Sequence, residues 1–188
     1  MPEGAERGII KGLYLFSESQ EERTYRAQIL GSGALLQQAL KAQEMLANDH
    51  DVAADVWSAT SYQQLRVDAL ETERWNRLHP EEPKRQPYVT WCLEPHEGPV
   101  IAVSDSIKAV HDQISRWVPA PFVPLGTDGF GRSDNRAALR RHFEVDAEHI
   151  VVSTLAALSE FEDLKPETVA AAIKRYGIEP DATPPYFA

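Results

Sequence analysis

Apolar positions along this chain alternate between two spacings. Short runs rich in apolar and β-branched residues, bounded by turn residues, stand at 25–30 (YRAQIL), 52–58 (VAADVWS), 99–103 (PVIAV) and 122–125 (FVPL). Each predicts a strand. Between them the pattern changes to helical spacing. Leu36, Ala39, Leu40, Gln43 and Leu46 predict a helix over 34–47, entered through the turn Gly31-Ser32-Gly33. Ser61 stands where an N-cap belongs, ahead of a helix that carries Leu65 and then Trp75. Pro80, Pro83 and Pro87 predict an extended connection, and 88–93 a short helix. Ser104-Asp105-Ser106 is expected to cap a helix with Ile107, Val110, Ile114 and Trp117 on one face. Beyond the fourth strand the pattern predicts a helix over 135–143. Asp146 then caps a longer helix through Ile150, Leu155 and Leu158. Pro166 and Gly177 bracket a last helix whose end carries Lys174 and Arg175.

Strand followed by helix, repeated, implies an α/β fold in three layers: a largely parallel sheet with helices on both faces. Residues 1–24 are less regular. The stretch 9–16 (IIKGLYLF) reads either as an edge strand or as an arm resting on another domain. The expected division is an arm or linker over 1–24, a domain over 25–180 and a tail over 181–188 (DATPPYFA).

Composition narrows the function classes. A length of 188 residues suits one domain with its own core. A net charge of −10 disfavours nucleic acid and anionic membrane as partners, because both demand a basic surface. Cys92 is the one cysteine, which excludes an intrachain disulfide and suits a reducing, cytoplasmic setting. The sequence shows neither a membrane-spanning run nor a signal peptide in MPEGAERGII.

The most conspicuous candidate for chemistry is LGTDGFGRSD, residues 125–134, with Gly126, Asp128, Gly129, Gly131, Arg132 and Asp134. A strand, a glycine-rich turn and a helix start together form an anion-binding arrangement. The stretch nevertheless lacks GxGxxG and GK[ST]. The alternative is a tight turn, with glycines at positive φ and Ser133 or Asp134 as N-cap. Arg132, Arg136 and Arg140 are spaced by four and are expected on one helical face, either to meet a phosphate or acidic partner or simply to face solvent. Histidines and Cys92 show no metal-ligand spacing, and no catalytic residue is assigned. Trp75, in ERWNRLHPEEP, is expected to anchor either an interface or the domain's own core.

Taken together, MPEGAERGIIKGLY, LGSG, DVWSATSYQQL, ERWNRLHPEEP, GPVIAVSD and LGTDGFGRSDNRAALRRHFEVD resemble the C-terminal domain of the homodimeric bacterial pyruvate dehydrogenase first component. The tail VAAAIKRYGIEPDATPPYFA runs in step with that family as well. The resemblance implies a transketolase-type C-terminal domain, with a mostly parallel sheet of about five strands. It also implies that the chain is the end of a longer subunit that decarboxylates pyruvate with thiamine diphosphate and Mg2+ and acetylates lipoyl groups. The fragment itself is expected to hold neither. Its implied partners are the rest of the subunit, a second subunit and, as an alternative docking role, the dihydrolipoyl acyltransferase component. Departures from the family pattern at Val67, Ala69 and Ile107 leave a divergent 2-oxo acid dehydrogenase paralogue as a further alternative. The superfamily's metal clamp is a GDG with downstream paired asparagines. Here the nearest approach is Thr127-Asp128-Gly129, and Asn48, Asn76 and Asn135 stand singly.

Overall fold

Four strands run parallel: β2 (Tyr25–Gly31), β3 (Val52–Ala59), β4 (Val100–Val103) and β5 (Phe122–Leu125). A fifth, β1 (Leu13–Ser17), pairs antiparallel with β3, so the sheet has the order β1-β3-β2-β4-β5. The computed structural model describes residues 4–20 and 22–188. The stretch 9–16 is therefore neither wholly strand nor a detached arm. It splits into helix α1 (Glu6–Lys11) and the edge strand β1, and the expected boundary at residue 24 falls between two strands of one sheet. Residues 1–3 and 21 of that expected arm lie outside the described residues.

Strict alternation divides the sheet into two faces. In register, Ile29 sits between Val56 and Ile101, and Leu30 between Trp57 and Ala102. Ala27, Ile29, Ala54, Val56, Ile101 and Val103 point to one core. There they meet α2 (Leu36–His50), α7 (Ala147–Phe161) and α8 (Pro166–Arg175). Leu30, Trp57, Ala59, Val100 and Ala102 point to the other. That side is covered by α3 (Tyr62–Leu78), α4 (Tyr88–Leu93) and α5 (Lys108–Asp112). Both β3 and β4 are buried along their whole length, which is why they read as continuous apolar runs.

The local punctuation acts as its residue types require. Ser61 Oγ accepts from Gln64 N–H at 3.1 Å and starts α3. Asp146 Oδ1 accepts from His149 N–H at 2.9 Å and starts α7. Pro166 opens α8, and Gly177 follows that helix at φ 58°. Two expectations are corrected. The helix expected after Ser104-Asp105-Ser106 is cut short: α5 begins only at Lys108 and gives way to a 3-10 turn at Ser115–Trp117. Ser104 Oγ turns back to Ser106 N–H instead of capping, and Ile107 is left exposed. Helix α6 (Arg136–His142) is capped not by Ser133 or Asp134 but by Asn135, whose Oδ1 accepts from Ala138 N–H at 3.0 Å.

Candidate functional site

The glycine-rich stretch is an extended loop between β5 and α6, not a tight turn. Its first part is fastened to the segment after β4. Thr127 N–H donates to Ser106 O at 3.0 Å and Thr127 Oγ1 to Asp105 O at 2.7 Å. Asp128 Oδ1 accepts from Lys108 N–H at 3.0 Å, so it caps α5 from another part of the chain. Gly126 is required for this approach: a Cβ there would run into the Ser106 carbonyl. Gly129 has φ 94°, and a Cβ would meet the Pro185 carbonyl of the C-terminal segment. Gly131 has open space around it and a negative φ. Only one of the three glycines therefore has the positive φ expected of all three.

The arginines do not form one face. Arg136 and Arg140 lie one turn apart on α6 and line the same cleft. Arg132 precedes the helix and lines a different one, with Ser133, Asp134 and His142. Spacing by four places residues on one face only inside a helix, and α6 begins at Arg136. Asp134 caps the Asn135 N–H at 2.7 Å and does not touch the helix proper. Trp75 is remote from this loop. Its ring is stacked on His79, with Arg85 lying 3.7 Å from the ring centroid. It is half-buried, and it belongs to neither of the two core clusters.

Spacing gave no hint of a buried polar network behind β2 and β3. Asp55 is fully buried. Its carboxylate accepts from Ser19 N–H at 2.9 Å and Gln28 Nε2 at 3.2 Å, and it pairs with His96 Nδ1 at 3.2 Å and Arg26 at 3.5 Å. Gln28 Oε1 in turn accepts from Trp57 Nε1 at 2.7 Å. Trp57 and His96 meet edge to face and look into a cleft of ≈ 680 Å³. Tyr14, Tyr88 and Trp91 make its other aromatic walls. Asp68 ties this corner together, accepting from Lys11 Nζ at 3.0 Å and Tyr88 N–H at 2.7 Å. Cys92 borders the same cleft, but burial pushes its thiol up to about 11. It is protonated at neutral pH and is not a nucleophile there.

Asp146 and His111 also titrate away from their ordinary values. Burial works to raise the Asp146 pKa, but hydrogen bonds from the His149 side chain and backbone, with the charges of His149 and Arg141, hold it below the usual range. His111 is fully buried, and neither ring nitrogen has a hydrogen-bond partner among the described residues. Tyr62, packed edge-on at 4.8 Å, also has a buried hydroxyl with no hydrogen-bond partner among the described residues. Burial lowers the His111 pKa; the Lys108 backbone carbonyl and the charges of Asp112 and Asp128 pull the other way without offsetting it. The unfolded chain therefore takes up this proton first. Stability is expected to fall as pH drops through about 6.5. His111→Leu is expected to raise the melting temperature at pH 7 and to flatten that slope, with His50 supplying what remains. Thermal melts of both proteins between pH 5 and 8 check this; an unchanged slope would assign the acid sensitivity elsewhere.

The family model described as the transketolase-like TK C-terminal domain matches residues 12–146. The chain belongs to this family. That match starts just before β1 and so includes the edge strand. Solved structures agree in fold. The transketolase from Leishmania mexicana superposes with a TM-score of 0.55 at 20% identity, over 86% of this chain and 21% of that one. A split-gene transketolase, an inactive beta4 tetramer, gives 0.52 at 20% identity, over 80% of this chain and 43% of its own. Sequence similarity is greater to proteins named pyruvate dehydrogenase E1 component. That of Pseudomonas aeruginosa is 49% identical over 186 residues, 98% of this chain. Those of Mycobacterium tuberculosis and Escherichia coli K12 are 47% and 43% identical, over 95% and 100% of this chain. This transketolase-like domain spans only 19–21% of the length of those three relatives.

Among the described residues, those nearest to a thiamine diphosphate and Mg2+ clamp do not fit one. The Asp128 carboxylate already caps α5, the Asn135 side chain caps α6, and Asn76 brackets the Arg85 backbone with both amide atoms. The groups that most resemble the clamp are thus committed to holding local structure.

Proposed function

We propose that this transketolase-like domain is the C-terminal assembly domain of a pyruvate dehydrogenase E1 component. The parent enzyme would decarboxylate pyruvate with thiamine diphosphate and Mg2+ held elsewhere in its length, and pass the acetyl unit to lipoyl groups in the cytoplasm. The observation that carries this reading is alignment of 98% of the chain, at 49% identity, with 21% of such a protein. The surface supports it: Ile10, Trp91, Phe130, Tyr186 and Phe187 are large apolar side chains left exposed, as surfaces that meet other domains or subunits are. No helix among the described residues is long and apolar enough to cross a membrane. Docking to the acyltransferase component ranks second, because Arg132 leaves the face that Arg136 and Arg140 share.

The isolated chain is expected to release no CO2 from pyruvate with thiamine diphosphate and Mg2+. It is expected to restore dimer formation and activity when co-expressed with the P. aeruginosa subunit lacking its matching region. CO2 release by the chain alone, or failure to rescue by a folded chain, would overturn the assembly role.

A further inference from the structure

The sheet reverses the direction of its connections between β2 and β4. From β2 the chain passes through α2, on one face, to β3. From β4 it passes through α5, on the other face, to β5. Where neighbouring strands send their connections opposite ways, the loops part and a crevice opens beyond the carboxyl ends of the strands. Here it is a cleft of ≈ 330 Å³. Ala34, Asp105 and Thr127, following β2, β4 and β5, form its rim, and α6 supplies the facing wall with Arg136 and Arg140.

We propose that this crevice binds a small organic phosphate carrying free hydroxyl groups, with the phosphate on Arg136 and Arg140 and a hydroxyl on the Asp105 carboxylate. The two guanidiniums are one helical turn apart, a spacing at which like charges oppose each other. Neither has an ion pair or a side-chain hydrogen bond among the described residues, whereas the adjacent Arg141 is committed to Asp146 and to the carbonyls of Tyr176 and Gly177. A phosphate presents acceptor oxygens on more than one side, so it can take both forks at once. Asp105 also has a free carboxylate, and an ionised carboxylate only accepts. It repels a bare second anion but accepts from a hydroxyl. The rim is already in place: Thr127 fastens Asp105 and Ser106 through its hydroxyl and its backbone N–H. The volume is at the small end of ligand clefts, which suits a sugar- or glycerol-sized phosphate and excludes a dinucleotide. The site is independent of the parent activity proposed above.

The test is an NMR titration of the 15N-labelled chain with glycerol 3-phosphate, glycerol and inorganic phosphate. Glycerol 3-phosphate is expected to shift amides of residues 104–106, 126–128 and 136–140 and to saturate below about 10 mM. Inorganic phosphate is expected to bind roughly tenfold more weakly, the loss of one hydrogen bond to a charged group, and glycerol not at all. Arg136→Gln with Arg140→Gln is expected to weaken glycerol 3-phosphate at least about tenfold. Arg136→Gln alone, at an exposed position, is the fallback should the pair disturb α6. Absence of shifts, shifts that survive in the arginine variants, or equal affinity for inorganic phosphate would each overturn the proposal.

Discussion

Gly98→Ala is expected to leave the chain unfolded. Gly98 enters β4 at φ 86°, and a Cβ there would sit inside the Arg26 carbonyl of β2. The obstacle is backbone in the centre of the sheet, where β2 pairs on both sides. Neither strand can move without breaking register with its neighbours. Two costs add: the positive φ, at about 1–2 kcal/mol, and a collision that only strand separation relieves. Together they are expected to exceed about 4 kcal/mol, a large share of a domain's whole stability. The glycine loop provides the internal comparison. Gly129→Ala meets the same kind of clash, but against the C-terminal segment, which can lift away, so a loss of about 1–2 kcal/mol is expected. Gly131→Ala has open space and an ordinary φ and is expected to change stability by less than about 0.5 kcal/mol. Far-UV circular dichroism with urea melts ranks the three. A folded, cooperative Gly98→Ala would show that the strand pair yields more readily than the geometry implies.

Asp55→Ala is expected to cost about 3–5 kcal/mol. The carboxylate is fully buried, and its removal strands donors gathered around it: Ser19 N–H, His96 Nδ1 and the Arg26 guanidinium. Gln28 retains Glu97 O at 3.1 Å and Trp57 Nε1 at 2.7 Å, so part of the network survives. Asp55→Asn keeps the shape but turns an amide N–H toward other donors, and it is expected to fall between wild type and Asp55→Ala. His96→Ala removes only one partner, whose side chain is partly exposed, and is expected to cost about 1 kcal/mol. Urea denaturation of the three variants measures the order. A loss below about 1 kcal/mol for Asp55→Ala would mean that the network is not under stability control.

Much of this fold was legible because its signals are local. A strand's two faces, Ile29 against Leu30 and Val56 against Trp57, follow from alternation alone. Ser61, Asp146 and Pro166 mark helix starts through bonds or ring geometry within a few residues. The family resemblance rested on whole phrases of sequence, and the match over residues 12–146 agrees with it. Features set by distant neighbours were not legible. The α5 start depends on Asp128, which lies 20 residues further on. Single contacts of the Asp55 carboxylate reach 41 residues along the chain, to His96, and Gln28 bonds Glu97 across 69 residues. Nothing in VAADVWS distinguishes its aspartate from a solvent-facing one, since that depends on what packs over the strand.

The sequence by itself determined the layers, the parallel core strands and the helix starts at Ser61, Asp146 and Pro166, because periodicity and local capping act over a few bonds. Only the tertiary structure decided what LGTDGFGRSD does. It fastens Asp128 to α5, passes Gly126 under the Ser106 carbonyl and sets Arg136 and Arg140 across from Asp105. It also brought β1 onto the sheet edge and separated Arg132 from the other arginines. Each of these is a meeting of segments far apart in the chain, fixed by strand order and close approach of backbones, to which residue spacing is blind.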